Sequence, residues 1–195
     1  MLSNLKPEIK ALVLDMDGVL WRSSQPVGDL PAIFRRINDL GLKVICATNN
    51  STSTPEQFAA KLATLGVTLS PEWILNSAQA SAAYLKKLHP QGGPVYLVGE
   101  IGLQLAFQPF GFWNTDRDVI AVVAGMDRQI TYTKLSVASS LIRSGALFIG
   151  TNGDKTFPTP DGLLPGAGSI LAAIETASGV TPTLIGKPSP YLYQV

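Results

Sequence analysis

The stretch ALVLDMDGVL, residues 11–20, determines the fold that the sequence predicts. Its first four residues form a continuous apolar run, which is typical of a strand buried on both faces of a sheet. Asp15 and Asp17 follow at the carboxyl end of this strand, where open α/β sheets bind ligands. Residues two apart in an extended chain point the same way, so we expect both carboxylates at one small site. Gly18 then allows a sharp turn or a close approach to a ligand.

Two carboxylates that converge beside an apolar strand repel each other, and they need a cation or a proton between them. Mg²⁺ prefers oxygen ligands and fits this need. A turn or helix cap built on Asp-Gly is the simpler alternative. A calcium-binding EF-hand loop is excluded, because Val19 and Leu20 stand where polar ligands are required and no glutamate closes the loop. The acid pair therefore favours a magnesium site over a simple turn.

Outward from this motif, apolar runs alternate with helical patterns along the whole chain. Such alternation predicts an α/β fold with a mostly parallel sheet and helices on both faces. The predicted strands are residues 11–14, 42–47, 95–98, 119–123, 146–149 and 183–185, and the predicted helices are residues 29–40, 54–66, 77–89, 131–143 and 168–177. The segment PQGGP, residues 90–94, is the most linker-like stretch and divides the pattern into two α/β units.

Polar residues follow two further predicted strands. Thr48 and the amides around Asn49 and Asn50 come directly after the second strand and are suited to hydrogen bonds with a phosphate. Taken alone, a polar loop that leads into the next helix explains them better. Lys187 follows the last predicted strand, where a lysine can neutralise carboxylates and phosphoryl oxygens. It does not belong to a Walker A loop, because Pro188 stands where a serine or threonine is required.

Composition limits the classes of protein to which the chain can belong. Hydrophobic residues make up 46% and charged residues 15%, which predicts a large buried core and excludes a disordered chain. The net charge of +1 and the lack of a Lys/Arg run argue against nucleic acid and membrane surfaces as partners. No signal peptide or membrane span is recognised, so a cytoplasmic location is predicted. Cys46, the only cysteine, lies in an apolar run and is predicted to be a buried hydrophobe rather than a reactive thiol.

In this order the polar signals resemble the motifs of the haloacid dehalogenase superfamily. Residues 15–20 look like its first motif, Thr48 like its second and Lys187 like its third. A finer resemblance links the chain to the 4-nitrophenyl phosphatase-like, or NagD-like, branch. The segments that carry it are residues 47–51, 76–80, 96–100, 162–168 and 186–190. The resemblance covers residues 11–195.

The resemblance implies a Rossmann-like core with a parallel sheet, interrupted by an inserted α/β cap that closes over the site. The core is expected in residues 1–89 and 182–195, and the cap in residues 90–181. The chain ends eight residues after Lys187, and no acids of the family's fourth motif follow. We therefore expect a core that is incomplete at its carboxyl end, which favours a chain that is part of a longer protein. The alternative is a weakened metal site with exposed apolar sheet surface.

The resemblance also implies a role for each motif residue. Asp15 attacks phosphorus and forms an aspartyl-phosphate, and Asp17 protonates the leaving alcohol and later activates water. Residues 48–50, with Gly18, hold the substrate, while Lys187 offsets charge on Asp15 and on the phosphoryl group. The Asp15 carboxylate and the Asp17 backbone carbonyl are the implied ligands of Mg²⁺.

The sequence thus predicts a Mg²⁺-dependent phosphatase that hydrolyses small phosphomonoesters. A non-catalytic phosphate-binding or metal-binding protein, or an inactive fragment, is the main alternative, and a phosphotransferase or phosphomutase is less favoured. The loop of residues 151–158 is a candidate for facing the substrate, although an ordinary turn also explains it. Pyridoxal phosphatase-like members place a histidine where Phe157 aligns, which disfavours pyridoxal phosphate. Caps of this type often assist dimerisation, so a homodimer is left open.

Overall fold

A computed structural model describes residues 9–159 and 161–194, which form two compact units. Among the described residues, the first unit contains the chain up to Thr48 together with Pro55–Leu75. The second unit contains Asn49–Thr54 and the chain from Asn76 onward. The domain limits predicted at residues 89/90 and 181/182 stay a prediction. In the described ranges, no helix has the length and apolar character needed to cross a membrane.

The first unit is built around a sheet with the strand order β1-β4-β5. Its elements are β1 (Ala11–Leu14), β2 (Trp21–Arg22), β3 (Gln25–Pro26), α1 (Leu30–Asp39), β4 (Lys43–Thr48), α2 (Pro55–Thr64), a short 3-10 helix (Pro71–Trp73) and β5 (Ile74–Asn76). Strands β1 and β4 pair in parallel, with Leu14 opposite Cys46. Strands β2 and β3 form a small antiparallel ribbon that the sequence analysis did not predict.

Local signals in the sequence account for the bounds of α1. The Asp29 carboxylate accepts a hydrogen bond from the backbone N–H of Ala32 at 3.0 Å, which caps the amino end of the helix. Pro31 occupies the first turn, where its missing N–H costs nothing. The helix stops before Gly41, which adopts a positive φ of 69°. The predicted helix of residues 29–40 is confirmed to within one residue at each end.

Strand β1 is less buried than its apolar sequence predicts. The side chain of Leu14 packs against the core of the first unit, whereas Val13 is 52% exposed. The prediction of a strand buried on both faces is therefore wrong. Strand β1 lies at the edge of its sheet, and alternate residues of a strand point to opposite faces. The core, which includes Leu30 of α1 and Phe58 of α2, contacts only one of these faces.

The second unit is built around a sheet with the strand order β12-β9-β8-β6-β7, in which each neighbouring pair is parallel. Its elements are α3 (Ser77–Leu88), β6 (Gly93–Val98), α4 (Ile101–Phe107), a 3-10 helix (Gln108–Phe110), β7 (Phe112–Asn114), β8 (Ala121–Ala124), α5 (Tyr132–Arg143), β9 (Leu147–Gly150), β10 (Thr156–Thr159), β11 (Gly162–Pro165), α6 (Ala167–Ser178), β12 (Thr183–Leu184) and a 3-10 helix (Pro190–Gln194). All four residues of β8 are fully buried. Parallel pairing in both units confirms the predicted α/β class.

The segment predicted as a linker contains the start of a strand. Gly93 and Pro94 belong to β6, where they lie opposite Phe112 and Trp113 of β7. The linker prediction is therefore wrong for these two residues. Only a short turn separates α3 from β6, and in it the N–H of Gly92 donates to the carbonyl of His89 at 2.9 Å. Glycine and proline usually interrupt strands, and here they begin one that gains its stability from pairing with β7.

Cys46 behaves as the sequence predicts, because its side chain is fully buried in the core of the first unit. Burial raises the pKa of the Cys46 thiol from about 9 to about 11, since a thiolate loses its hydration there. The folded state therefore holds the proton more tightly than the unfolded state does.

This pKa predicts a contribution to stability that is fully present below about pH 9 and lost as the pH approaches 11. Relative to Cys46→Ala, the free energy of unfolding of the wild type should fall by roughly 2 to 3 kcal/mol across that window. Urea denaturation of both proteins at pH values from 8 to about 11 measures this difference. Parallel pH profiles for the two proteins would show that the buried thiol does not titrate differently on folding.

Candidate active site

Asp15 and Asp17 lie in a tight turn directly after β1. The N–H of Leu20 donates to the carbonyl of Met16 at 2.8 Å, and the N–H of Gly18 donates to the carbonyl of Trp21 at 2.7 Å. Gly18 has a φ of +85°, and a Cβ added there would meet no atom within 4 Å. The backbone angle, rather than a lack of space, therefore requires glycine at this position.

The carboxylates of this turn are exposed, while the residue between them is fully buried. Met16 packs in the core of the first unit, and Asp15 and Asp17 are both exposed to solvent. The N–H of Met16 donates to Oδ1 of Asp15 at 2.8 Å, which orients the Asp15 carboxylate. The buried methionine thus anchors the turn that presents the two acids.

The Asp17 carboxylate is held at both of its oxygens. Trp21 donates from Nε1 to Oδ1 at 2.8 Å, and Thr48 donates from Oγ1 to Oδ2 at 3.3 Å. Trp21 and Thr48 are each only 1% exposed, so both donors belong to the rigid part of the first unit. The structure therefore brings together Asp17 and Thr48, which the sequence predicted as site residues and which lie 31 positions apart.

Lys61 of α2 contacts Trp21, which in turn donates a hydrogen bond to Asp17. Its Nζ lies 4.1 Å from the centroid of the Trp21 ring and donates to the carbonyl of Ser23 at 3.1 Å. Burial lowers the pKa of Lys61, and the negative charge of Asp17 opposes that shift. Neither Trp21 nor Lys61 is predicted from the sequence. Trp21 follows the first motif directly, and this position is a signal that could identify it, but no local pattern connects Lys61 with the turn.

The residues of the turn fit a magnesium ion that takes only a few of its ligands from the protein. Within residues 9–159 and 161–194, no cluster of three or more His, Cys, Asp or Glu side chains could hold a metal. Mg²⁺ commonly binds through one or two carboxylates and completes its shell with water and substrate phosphate. The Asp15 carboxylate together with the backbone carbonyl of Asp17 matches this type of site. The side chain of Asp17 suits it less, because both of its oxygens already accept hydrogen bonds.

In the second unit the structure brings Asn49 and Lys187 together. Oδ1 of Asn49 accepts from the backbone N–H of Lys187 at 2.7 Å, and Nδ2 donates to the backbone carbonyl of Lys187 at 3.0 Å. The same Nδ2 also donates to Oδ2 of Asp154 at 3.2 Å. The side chain of Asn49 therefore contacts protein groups, and the predicted role of Asn49 in binding the substrate stays a prediction.

The side chain of Asn50 shapes its own loop. Its Oδ1 accepts from the backbone N–H of Thr52 at 3.0 Å and from the Thr52 hydroxyl at 2.7 Å. This pattern is an Asx-turn, in which the side chain mimics a backbone turn. The predicted role of the amides of residues 48–50 in holding a phosphate stays a prediction.

The loop of residues 151–158 has a buried beginning and an exposed middle. Thr151 and Asn152 are 0% and 5% exposed, while Gly153–Lys155 are exposed and Thr156 begins β10. The exposed part, together with Lys187, borders a cavity of about 470 Å³, which is a volume suited to a small ligand. The lining residues are Gly153, Asp154, Leu184, Gly186, Lys187, Pro188 and Ser189. Gly153 and Asp154 are therefore the residues of the predicted substrate loop that line this cavity.

A family model identifies the class to which this fold and these motifs belong. The model that matches residues 12–113 is described as haloacid dehalogenase-like hydrolase. The chain belongs to this family of hydrolases. The superfamily resemblance that the sequence predicted is thereby confirmed.

Similar proteins extend this assignment to phosphatases. An acid sugar phosphatase of Staphylococcus aureus strain USA300 is 38% identical over 186 residues, which cover 95% of this chain and 71% of that protein. Among solved structures, a double mutant of a thermostable NPPase from Geobacillus stearothermophilus matches with a TM-score of 0.89 and 38% identity, covering 95% of this chain and 73% of that one. A glycerol phosphate phosphatase from Mycobacterium tuberculosis, solved in complex with magnesium, matches with a TM-score of 0.86 and 33% identity, covering 94% of this chain and 56% of that one. These relatives are phosphoric monoester hydrolases, and they confirm the predicted 4-nitrophenyl phosphatase-like branch.

The hydrogen bond from Trp21 to Asp17 predicts a loss of stability in Trp21→Phe. This change removes the only N–H that the side chain donates to the carboxylate and leaves unfilled volume in the core. We expect a loss of about 2 to 4 kcal/mol, measured as a lower midpoint of urea denaturation. Trp113→Phe is the matched control, since Trp113 is 58% exposed and its replacement should cost less than about 1 kcal/mol. Equal losses in the two variants would contradict the importance of this hydrogen bond.

Proposed function

We propose that this chain is a phosphatase that hydrolyses small phosphomonoesters through an aspartyl-phosphate at Asp15. The observation that carries the proposal is the turn after β1, in which two exposed acids stand together and the carboxylate of Asp17 is held by Trp21 and Thr48. Membership of a hydrolase family with phosphatase relatives supports the same conclusion.

Asp15 acts as the nucleophile in the first step. One oxygen of its carboxylate attacks phosphorus, and the bond between phosphorus and the leaving oxygen breaks. The hydrogen bond from the N–H of Met16 to Oδ1 fixes the direction in which the carboxylate faces. The product of this step is an aspartyl-phosphate together with the departing alcohol.

Asp17 acts as the proton donor and then as the acceptor. Its carboxyl group gives a proton to the leaving oxygen, and in the second step it takes a proton from the water that attacks the aspartyl-phosphate. This second attack releases inorganic phosphate and restores Asp15. The hydrogen bond from Trp21 keeps the carboxyl of Asp17 in one orientation through both steps, and the hydroxyl of Thr48 exchanges its hydrogen bond to Asp17 for one to the phosphoryl group.

The phosphoryl group is held by residues that differ in charge and type. Thr48 and the amides around Asn49 and Asn50 supply neutral hydrogen-bond donors, and Gly18 is proposed as a further substrate contact. Lys187 supplies a positive charge that offsets the negative charge on Asp15 and on the phosphoryl oxygens. Mg²⁺ bound by Asp15 and the carbonyl of Asp17 would further reduce the repulsion between the carboxylate and the phosphate.

The substrate class that we propose is a small phosphorylated metabolite such as a sugar or polyol phosphate. The relatives named acid sugar phosphatase and glycerol phosphate phosphatase support this class. Pyridoxal phosphate is disfavoured, because Phe157 aligns with the histidine of pyridoxal phosphatase-like members. The Phe157 side chain is half-buried. A cytoplasmic location and a homodimer remain predictions from the sequence.

Substitution of the nucleophile tests the proposal. Asp15→Asn should lower kcat for 4-nitrophenyl phosphate by at least about 1000-fold, because an amide oxygen is a poor nucleophile. Asp29→Asn is the matched control, since asparagine caps a helix as well as aspartate does and Asp29 caps α1. Hydrolysis is measured with and without Mg²⁺, and turnover by the wild type should require the ion.

The same assay separates the alternatives. If the wild type binds inorganic phosphate and shows no turnover with or without Mg²⁺, the chain is a phosphate-binding protein and the proposal is wrong. If turnover occurs only when an alcohol acceptor replaces water, the chain is a phosphotransferase. Activity that survives Asp15→Asn would exclude Asp15 as the nucleophile.

The role of Asp17 predicts a dependence on the leaving group. Glycerol phosphate releases an alkoxide that needs a proton, whereas 4-nitrophenolate departs readily without one. Asp17→Asn should therefore lower kcat/KM for glycerol phosphate by about 100- to 10,000-fold and for 4-nitrophenyl phosphate by a clearly smaller factor. Steady-state kinetics on the two substrates measures this difference. Equal losses on both substrates would show that Asp17 does not protonate the leaving group.

A further inference from the structure

The side-chain amide of Asn49 pairs with the backbone N–H and carbonyl of Lys187. Oδ1 of Asn49 accepts from the N–H of Lys187 at 2.7 Å, and Nδ2 donates to the carbonyl of the same residue at 3.0 Å. These residues are 138 positions apart, so the contact joins the loop after β4 to the loop after β12. The two hydrogen bonds bind the peptide groups on either side of the Lys187 Cα, so they fix both its position and its orientation.

We propose that Asn49 is a positioning residue that sets the location of the Lys187 ammonium group through the lysine backbone. This inference rests on the proposed function, in which Lys187 neutralises charge on the phosphoryl group. Asn49 carries out this task without touching the substrate through its side chain, since both polar atoms of the side chain already bind protein groups.

Asn49 is itself held by buried polar side chains. Its backbone carbonyl accepts from the hydroxyl of Ser77 at 2.6 Å and from Nδ2 of Asn152 at 2.8 Å. Ser77 is fully buried and Asn152 is 5% exposed, so water competes little for these contacts. The first residue of α3 and the loop after β9 therefore fix the backbone from which the Asn49 side chain reaches Lys187.

Gly186 allows the loop of Lys187 to approach this network closely. A Cβ at position 186 would lie 2.5 Å from the carbonyl oxygen of Thr151 and 2.6 Å from Oδ1 of Asn49. The N–H of Gly186 donates to that same Thr151 carbonyl at 2.8 Å. Any larger residue would push the loop away from Asn49 and break the contact with Lys187.

The chemistry of the pair requires an asparagine at position 49. The backbone of Lys187 presents one donor, its N–H, and one acceptor, its carbonyl, and among short side chains only the amide of asparagine offers the matching acceptor and donor. Aspartate has the same shape, but it would place a second acceptor against the carbonyl of Lys187 and against the carboxylate of Asp154. Asn49→Asp is therefore expected to disturb Lys187 while it preserves the volume of the side chain.

A double-mutant cycle with 4-nitrophenyl phosphate tests the inference. Asn49→Ala should lower kcat by about 10- to 100-fold, because a displaced charge stabilises the transition state less well. In a Lys187→Ala background the same change should have less than about a 3-fold effect, since the group that it positions is absent. KM should change less than kcat in the Asn49→Ala variant, which a general loosening of the fold would not produce.

Asn114→Ala is the matched control for this cycle. Asn114 also accepts a hydrogen bond from a backbone N–H, that of Leu97 at 3.0 Å, and it lies in β7 at the opposite edge of the sheet from β12. Its replacement should leave kcat within about 2-fold of the wild type. The inference is overturned if Asn49→Ala has the same effect with and without Lys187, or if Asn114→Ala lowers kcat equally. Should Asn49→Ala fail to fold, Asn49→Asp takes its place in the cycle.

Hydrogen exchange separates this inference from the proposed function. If the wild type shows no turnover, the proposed function fails, and the positioning contact is judged by exchange of the Lys187 amide measured by NMR. That amide should exchange at least about 10-fold faster in Asn49→Ala and at the wild-type rate in Asn114→Ala. Unchanged exchange in Asn49→Ala would show that its side chain does not hold the Lys187 backbone.

Discussion

The register between β1 and β4 is the constraint on which the acid turn depends. Leu14 lies opposite Cys46, so Asp17 and Thr48 leave the same end of two parallel strands and come within a hydrogen bond of each other. A shift by one residue would turn the side chain of Thr48 to the other face of the sheet. The register is held by apolar contacts, since Cys46 is fully buried and Leu14 packs against the same core. Apolar packing in the core of the first unit thus determines the distance between Asp17 and Thr48, although neither residue belongs to that core.

The two units fix their candidate site residues in different ways. In the first unit, side chains hold a side chain, as Trp21 and Thr48 hold the carboxylate of Asp17. The hydroxyl of Thr48 has one hydrogen, so it can donate to Asp17 or to a phosphoryl oxygen, and not to both at once. In the second unit, a side chain holds the backbone, as Asn49 holds the N–H and the carbonyl of Lys187. The hydrogen bond from Thr48 to Asp17 can therefore be exchanged for one to a ligand. The hydrogen bonds between Asn49 and Lys187 form without a ligand.

Much of the fold follows from local signals that the sequence displays. Caps and apolar periodicity predict helices such as α1 and α5 within a residue or two, because Asp29 and Thr131 satisfy backbone N–H groups that lie close in sequence. Strands that depend on a partner are harder to predict. The start of β6 reads as a linker because Gly93 and Pro94 belong to a strand only through their pairing with β7, and the pairing of β10 with β11 has no strong alternation of apolar residues.

The residues of the candidate site likewise fall into two groups, those that the sequence predicts and those that only the fold brings into contact. The sequence predicts Asp15, Asp17, Thr48 and Lys187 as site residues because each follows a predicted strand, where parallel sheets place ligand contacts. The stacking of Lys61 on Trp21 and the pairing of Asn49 with Lys187 join residues that are distant in sequence, and no periodic pattern records such contacts. The sequence shows that residue 49 is polar, but not whether its side chain binds a ligand or the protein backbone.

Asn49 binds the backbone at position 187, so the path of this loop does not depend on the charge of the side chain there. At position 187 Asn49 binds only the backbone N–H and carbonyl, and every amino acid other than proline presents these two groups. The loop can therefore keep its path while the side chain at that position changes in length or sign. Evolution or protein engineering can exchange the charge that a ligand meets at this point without rebuilding the scaffold that carries it.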